Sequence, residues 1–173
     1  MIIDFLNMKC SDSKQNIPCN TFQLYTKKSN LYTKDSITLQ FTKSVGSGLF
    51  TKVQVNTGEC IVTFNGEYIT NDLYKLRTDA GLGGYMIRLT KQNYLDCYTM
   101  RMQNKCFASL ANSALKCYDK KNNIFAKNNS KLRIYKVKNT NTWIASLIAT
   151  KKITANSEIL WPYGKSYVFP EKR

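Results

Sequence analysis

The sequence predicts a mainly β fold of the α+β kind, and three observations predict it. Short apolar runs recur along the chain, several alternating with polar residues at period two. Clusters of Gly, Asn and Thr separate them at regular intervals, as turns do. Before the middle of the chain only one stretch, residues 72–77, has helical character.

The elements follow in order. Residues 1–30 are polar and irregular, with Pro18 and scattered Ser, Asn and Lys, and form an N-terminal extension with one short strand at residues 2–6. Residues 31–173 form one domain, which 173 residues can build around a real core. Residues 37–41 alternate Ile37, Leu39 and Phe41 with Thr38 and Gln40, a half-buried strand. A turn at Gly46-Ser47-Gly48 leads to Leu49-Phe50 and a strand at residues 53–55. Asn56-Thr57-Gly58-Glu59 turns the chain into a buried strand at residues 60–64. Asn71 is the expected N-cap of the helix at residues 72–77. Gly81, Gly83 and Gly84 form a loop that lacks the Gly-Lys-Ser/Thr of a phosphate-binding loop. Strands are expected at residues 85–89 and 93–96, a loop at 118–123, and a strand pair at 132–137 and 143–149.

Composition narrows the function. Hydrophobic content of 43% and aromatic content of 12% are those of a globular chain. No apolar run approaches the roughly 20 residues that span a bilayer, and residues 1–6 lack the basic start of a signal peptide. An intracellular location with reduced thiols is therefore expected for Cys10, Cys19, Cys60, Cys97, Cys106 and Cys117, none of them in a C-x-x-C pair. With no histidine in the chain and no zinc-ligand spacing, no metal site is expected and every mechanism needing a histidine base is excluded. The net charge of +15 is uneven: residues 97–157 contain one acid, Asp119, whereas acids and bases roughly balance over residues 59–96. Such asymmetry suits nucleic acid as a partner, and a solvated, solubilising surface explains it equally well.

Three stretches carry the chemistry. The first is Ser44-Val45-Gly46-Ser47-Gly48-Leu49-Phe50, with Gly66-Glu67 after it. Closely spaced glycines let backbone approach a ligand, though a plain hairpin turn would use them too. A dinucleotide site is excluded because no helix start follows. The second is Phe107-Ala108-Ser109-Leu110-Ala111-Asn112-Ser113, with Asn122-Asn123 beyond it. Asn112 could serve as a cap or turn residue. The third is Glu158-Ile159-Leu160-Trp161-Pro162-Tyr163-Gly164, then Tyr167 and Phe169. Alone, an aromatic strand closed by Pro and Gly is usually core.

In this order the three stretches resemble the SET-domain family, S-adenosylmethionine-dependent protein lysine methyltransferases, over residues 37–169. The resemblance implies a β-clip of several small sheets with a threaded C-terminal segment. It implies that Gly46, Ser47, Gly48 and Leu49 border the S-adenosylmethionine pocket. Asn112 then bonds the cofactor through its side chain, and Ser113, where the family usually has His, meets the adenine through its backbone. Tyr163 is the implied catalytic residue, its hydroxyl orienting the methyl group and the lysine nitrogen. Tyr98, Phe125, Trp161 and Tyr167 are the implied substrate channel, with Trp161 at a position that is often Phe or Tyr. Gly66-Glu67 and Glu158 are implied to be structural. The chemistry fits a chain without histidine, because burial beside a positive charge lowers a lysine pKa from its usual value near 10.4 and alignment does most of the remaining work.

The cysteine-rich segments that bind zinc around many SET domains are absent, a stripped-down form similar to SET proteins of large DNA viruses and single-celled eukaryotes. The resemblance implies a lysine-bearing protein substrate, a histone among the candidates, in the nucleus or in viral or host cytoplasm. A partner copy in a homodimer could cover the site, and the basic surface could meet nucleosomal DNA. Two alternatives stay open: a catalytically inactive SET-like module that binds protein or nucleic acid, and a basic β-barrel that stacks single strands on Tyr94, Tyr98, Tyr135 and Trp143.

Overall fold

Side-chain alternation and β-branched runs set the strands, and in the computed structural model, which describes residues 2–3, 36–42, 46–114 and 127–163, these gather into three antiparallel sheets. β1 (Ile2–Ile3) lies at one edge of a four-stranded sheet, beside β5 (Gly66–Thr70); β7 (Asn93–Asp96) and the opposite edge strand β6 (Met86–Arg88) complete it. β2 (Ile37–Thr42) and β3 (Gly46–Thr51) form a two-stranded hairpin. β4 (Cys60–Thr63), β9 (Trp143–Ala149) and β8 (Ser130–Lys136) make the third sheet, with β9 in the centre. Among the described residues the strands lie in three separate sheets and not in one closed barrel, which speaks against the β-barrel alternative.

The core forms where the three sheets meet. Leu49 of β3, Ile61 of β4, Leu95 of β7, Leu147 of β9 and Ile159 near the C-terminus are all fully buried. β9 is buried at six of its seven positions, as its unbroken apolar sequence requires of a central strand covered on both faces. β4 reaches it through a bulge between Cys60 and Val62.

Several local expectations need correction. Gly46-Ser47-Gly48 is not a turn. It is the start of β3, in register with β2 from Thr42↔Gly46 to Ile37↔Thr51. The alternation of β2 does not end in a buried face: Ile37 is buried, but Leu39 is 39% and Phe41 82% exposed. The hairpin runs beyond the core, so period two set the strand without setting its burial. Residues 53–55 are not a strand. Val53 N–H donates to Thr51 Oγ1 at 3.2 Å and Thr51 Oγ1 donates to Val53 O at 2.5 Å, a local loop that competes with a ladder and leaves Val55 one bridge to Ile153. Asn71 is not the N-cap of helix α1 (Asn71–Asp79) but its first residue; Thr70 is the cap, and Asn71 Oδ1 accepts from the Tyr94 hydroxyl at 3.4 Å. The strand expected at residues 2–6 is described only at β1, and the loop at 118–123 lies outside the described residues.

A second helix, α2 (Tyr98–Met102), was not expected from sequence. Its start is held by Asp96 Oδ1, which accepts from Tyr98 N at 2.9 Å. The same carboxylate takes Arg77 Nη1 at 2.5 Å, while Arg77 Nη2 meets Glu67 at 2.8 Å. Arg77 thus ties α1 to β5 and β7, which gives Glu67 the structural part expected of it. Among the described residues no cluster of three metal-ligating side chains occurs, and Cys60, Cys97 and Cys106 are buried free thiols. No helix of the described residues is long and apolar enough to cross a membrane.

Candidate active site

The site is assembled around one short segment, Ala111-Asn112, which leaves the 3-10 turn Phe107–Leu110. Asn112 is buried, and its amide nitrogen donates in two directions: to Ser47 O on β3 at 3.2 Å and to Glu158 Oε1 at 2.9 Å. Leu160 forms a parallel bridge with Asn112, and Trp161 N donates to Asn112 O at 3.0 Å. Glu158 bridges Phe50, so the C-terminal segment runs between β3 and the Asn112 segment, joined by isolated bridges rather than a full strand. Residues 47, 112 and 158, far apart in sequence, therefore meet in one hydrogen-bonded cluster.

The glycine pattern gains a physical reason here. A Cβ on Gly48 would stand 2.4 Å from Glu158 Oε1 and 3.1 Å from Asn112 Nδ2, so side-chain bulk is excluded by the cluster itself. Ser47 contributes a carbonyl, and Leu49 is fully buried in the core. Gly46 has φ +81 and open space where a Cβ would point.

On the other side of Ala111 the aromatic residues converge. The carbonyl of Ala111 accepts two bonds, from Trp161 Nε1 at 3.2 Å and from the Tyr163 hydroxyl at 2.9 Å. Trp161 meets Phe64 edge-on (ring centroids 5.6 Å, 64°) and Tyr163 likewise (5.2 Å, 63°). Together with Tyr85, Met86 and Ser109 these residues line a cavity of about 80 Å³. Tyr98 is not part of its wall; its half-exposed ring tilts against Tyr85 at 6.2 Å. Phe125 and Tyr167 lie outside the described residues.

Electrostatics near the site are set by burial. Ser113 is 1% exposed, and its hydroxyl is a buried side-chain polar atom with no partner among the described residues. Behind the 3-10 turn, its hydrogen bond with Cys97 holds the Cys106 thiol down at about 7, and Asn65 N–H adds to this at 3.3 Å. The Cys97 thiol is pushed well up by the same bond with Cys106 and by burial. Burial also pushes Tyr68 up to about 12; its hydroxyl donates to Trp143 O.

Several residues that shape the site carry no signal of it in the sequence. Asn129 clamps the C-terminal segment from both sides, donating to Glu158 O at 2.7 Å and accepting from Leu160 N at 2.9 Å. In sequence Asn129 reads only as loop. Phe64 and Tyr85 read as strand ends, and a key carbonyl such as that of Ala111 has no side-chain signature at all.

A family model described as SET domain matches residues 46–164. No curated protein matches the chain. Among solved structures, a humanized mutant of the Chaetomium thermophilum Polycomb Repressive Complex 2 bound to an inhibitor is similar over 77% of this chain, at 20% identity and a TM-score of 0.57. An apo form of that complex with two substitutions in Ezh2 is similar over 76%, at the same identity and TM-score. These likenesses cover 16% and 15% of the matched chains, so this chain spans well under a fifth of their length.

Proposed function

The chain belongs to the SET-domain family, and from that premise we propose that it is a protein lysine methyltransferase, transferring a methyl group from S-adenosylmethionine to a lysine side chain of a protein. The observation that carries this reading is the meeting, on either side of Ala111-Asn112, of the Gly46–Thr51 strand and the Trp161 to Tyr163 aromatics. Within it, residues 31–173 are the catalytic domain and residues 1–30 an extension, in the compact form of viral and single-celled eukaryotic members. A histone is the proposed substrate, the basic surface contacts nucleic acid, and a second copy in a homodimer covers the site, in nucleus or viral or host cytoplasm.

The residues present fit the cofactor. A buried hydroxyl without a partner costs free energy unless something bonds it, and Ser113 Oγ is such a group beside Asn112. Gly46, Ser47, Asn112 and Ser113 would hold the cofactor, with Gly48 and Leu49 supporting them. When bound, S-adenosylmethionine supplies the activated methyl group. The chain itself supplies three things. The aromatic wall strips water from a lysine ammonium, which disfavours its charged form and frees the lone pair. The Tyr163 hydroxyl, fixed by its bond to Ala111 O, orients the nitrogen. The Glu158–Asn112–Ser47 cluster holds that wall against β3, and such alignment is worth orders of magnitude in rate.

The test is transfer of tritium from labelled S-adenosylmethionine to a panel of histones and to cell lysate, with calorimetry of cofactor binding alongside. Label on lysine is expected. Cofactor binding without transfer to any protein would favour an inactive binding module, and absence of both would end the proposal.

A further inference from the structure

The third sheet ends in an edge strand of one-sided charge. β8 pairs with β9 alone, and Leu132 and Ile134 turn inward against the core. Between and beyond them Lys131, Arg133 and Lys136 are exposed, and exposed Lys138 follows past the buried Val137. Lys151 and Lys152, also exposed, come just after Thr150, whose N–H donates to Asn129 O at 2.9 Å beside the start of β8. Residues 127–157 contain no Asp or Glu, and among the described residues both ion pairs belong to Arg77. The charges therefore repel one another with no acid to offset them, a cost that an anionic ligand removes. At its far end the strand runs into a shallow cavity of about 440 Å³. Lys136, Lys138, Asn139 and Asn141 line it with ammonium and amide donors, and no carboxylate is among them.

Lysine on an edge strand also deters pairing with other chains. That accounts for Lys131 and Lys136 but not for Lys138, Lys151 and Lys152, which lie off the strand. We propose that the β8 edge and the turn after it form a docking surface for double-stranded DNA, held through its phosphates without reading sequence. This surface gives a place to the nucleic-acid contact of the reading above and rests on that part of it alone. From Lys131 to Lys136, at about 3.4 Å per residue, the strip is roughly 17 Å long, about half a turn of a duplex. The guanidinium fork and the ammonium groups are natural phosphate partners. Single strands bind best where rings stack on their bases, and the strip offers none. The half-buried Tyr135 has its hydroxyl 3.4 Å from Ser146 Oγ, and Trp143 packs against the core. The exposed rings among the described residues, Phe41 and Tyr98, stand on β2 and α2. Ser130, at the head of the strip, donates through its N–H and its hydroxyl to Leu160 O at 3.0 and 2.9 Å. A duplex on β8 thus lies next to the segment that carries Trp161 and Tyr163.

The test is fluorescence anisotropy of a short labelled DNA duplex titrated with the full chain at several salt concentrations. Saturable binding is expected, alike for unrelated sequences. Log affinity should fall against log salt with a slope of about −3 to −4, as for roughly four neutralised phosphates. Lys131→Glu with Arg133→Glu should weaken binding on the order of tenfold or more and flatten the slope by about 2. Lys75→Glu with Lys91→Glu makes the same change of charge at exposed positions on α1 and before β7. That control should cost less than about threefold, because charges far from the strip are screened. Circular dichroism checks folding, and Lys131→Gln with Arg133→Gln replaces the first variant if it does not fold. Equal losses in the strip variant and the control would assign binding to net charge alone and overturn the proposal. So would a single strand or an RNA duplex bound more tightly than the DNA, phosphatidylserine vesicles bound in its place, or no saturable binding at low salt. The measurement needs neither cofactor nor lysine substrate. Its failure therefore leaves the methyl-transfer reading standing, and absence of methyl transfer leaves this surface standing.

Discussion

Gly48→Ala tests the Asn112 cluster directly, because the added Cβ would fall 2.4 Å from Glu158 Oε1. A contact that short cannot persist, so the carboxylate must swing aside and surrender its 2.9 Å bond from Asn112. A hydrogen bond to a charged group is worth about 1.5–3 kcal/mol. Glu158 is half-buried, so water recovers part of that, while replacing a strand glycine returns roughly 0.5–1 kcal/mol of backbone entropy. The net expectation is a loss of about 1–2 kcal/mol. In a Glu158→Ala background the carboxylate is gone and only Asn112 Nδ2, at 3.1 Å, stays close, an atom freed to shift by a few tenths of an ångström, so Gly48→Ala should then cost little. Urea unfolding of the four proteins gives the coupling free energy, expected at about 1 kcal/mol or more. Two effects that add within ~0.5 kcal/mol would mean that Gly48 and Glu158 are not in contact and that the cluster has been misread. Gly46→Ala is the control: nothing lies within 4 Å of its Cβ, so its cost comes from φ +81 alone and should not depend on Glu158.

Three further outcomes follow from the same contacts. Tyr163→Phe removes the 2.9 Å bond to Ala111 O and should cost about 1 kcal/mol of stability, while turnover falls by on the order of 10²-fold or more; near-normal turnover would take Tyr163 out of the mechanism. Asn112→Ala should weaken S-adenosylmethionine binding by about 1–3 kcal/mol in calorimetry and more than Ser113→Ala, which should leave stability unchanged or slightly raised because its hydroxyl has no partner; equal, negligible effects would move the pocket elsewhere. Tyr68 has a pKa raised by burial to about 12, so its contribution is complete below the unfolded value near 10 and is lost as pH rises from 10 to 12; roughly 2–3 kcal/mol of alkaline destabilisation should disappear in Tyr68→Phe when unfolding is followed against pH.

The strands were legible wherever packing and propensity agree. The β8–β9 pair could be read because its apolar runs flank the polar Asn139-Thr140-Asn141-Thr142 turn. Helix α2 could not, because Tyr98 to Met102 carries no apolar stripe and its start depends on Asp96 accepting from Tyr98 N. Leu39 and Phe41 misled in the other direction. Alternation reports that a strand has two unlike faces, but only the rest of the fold decides which face is covered.

The site was legible in its side chains and hidden in its backbone. Tyr163, Trp161 and Asn112 stand out by type, but what joins them is the carbonyl of Ala111 and that of Ser47, which any residue could supply. Glu158 shows the consequence. From sequence it is an acid at the start of an apolar run. In the fold its carboxylate accepts from Asn112 and its own carbonyl accepts from Asn129 Nδ2, so a single residue fixes the C-terminal segment on two sides. Gly48 must be small because Glu158 is there, and Asn112 is held in place because Glu158 and Ser47 share its amide. The spacing between these three is therefore a statement about one contact, not three separate motifs. A change at any of them should be felt first as a shift of the Ala111 carbonyl, and through it by the Trp161 and Tyr163 rings that form the cavity wall.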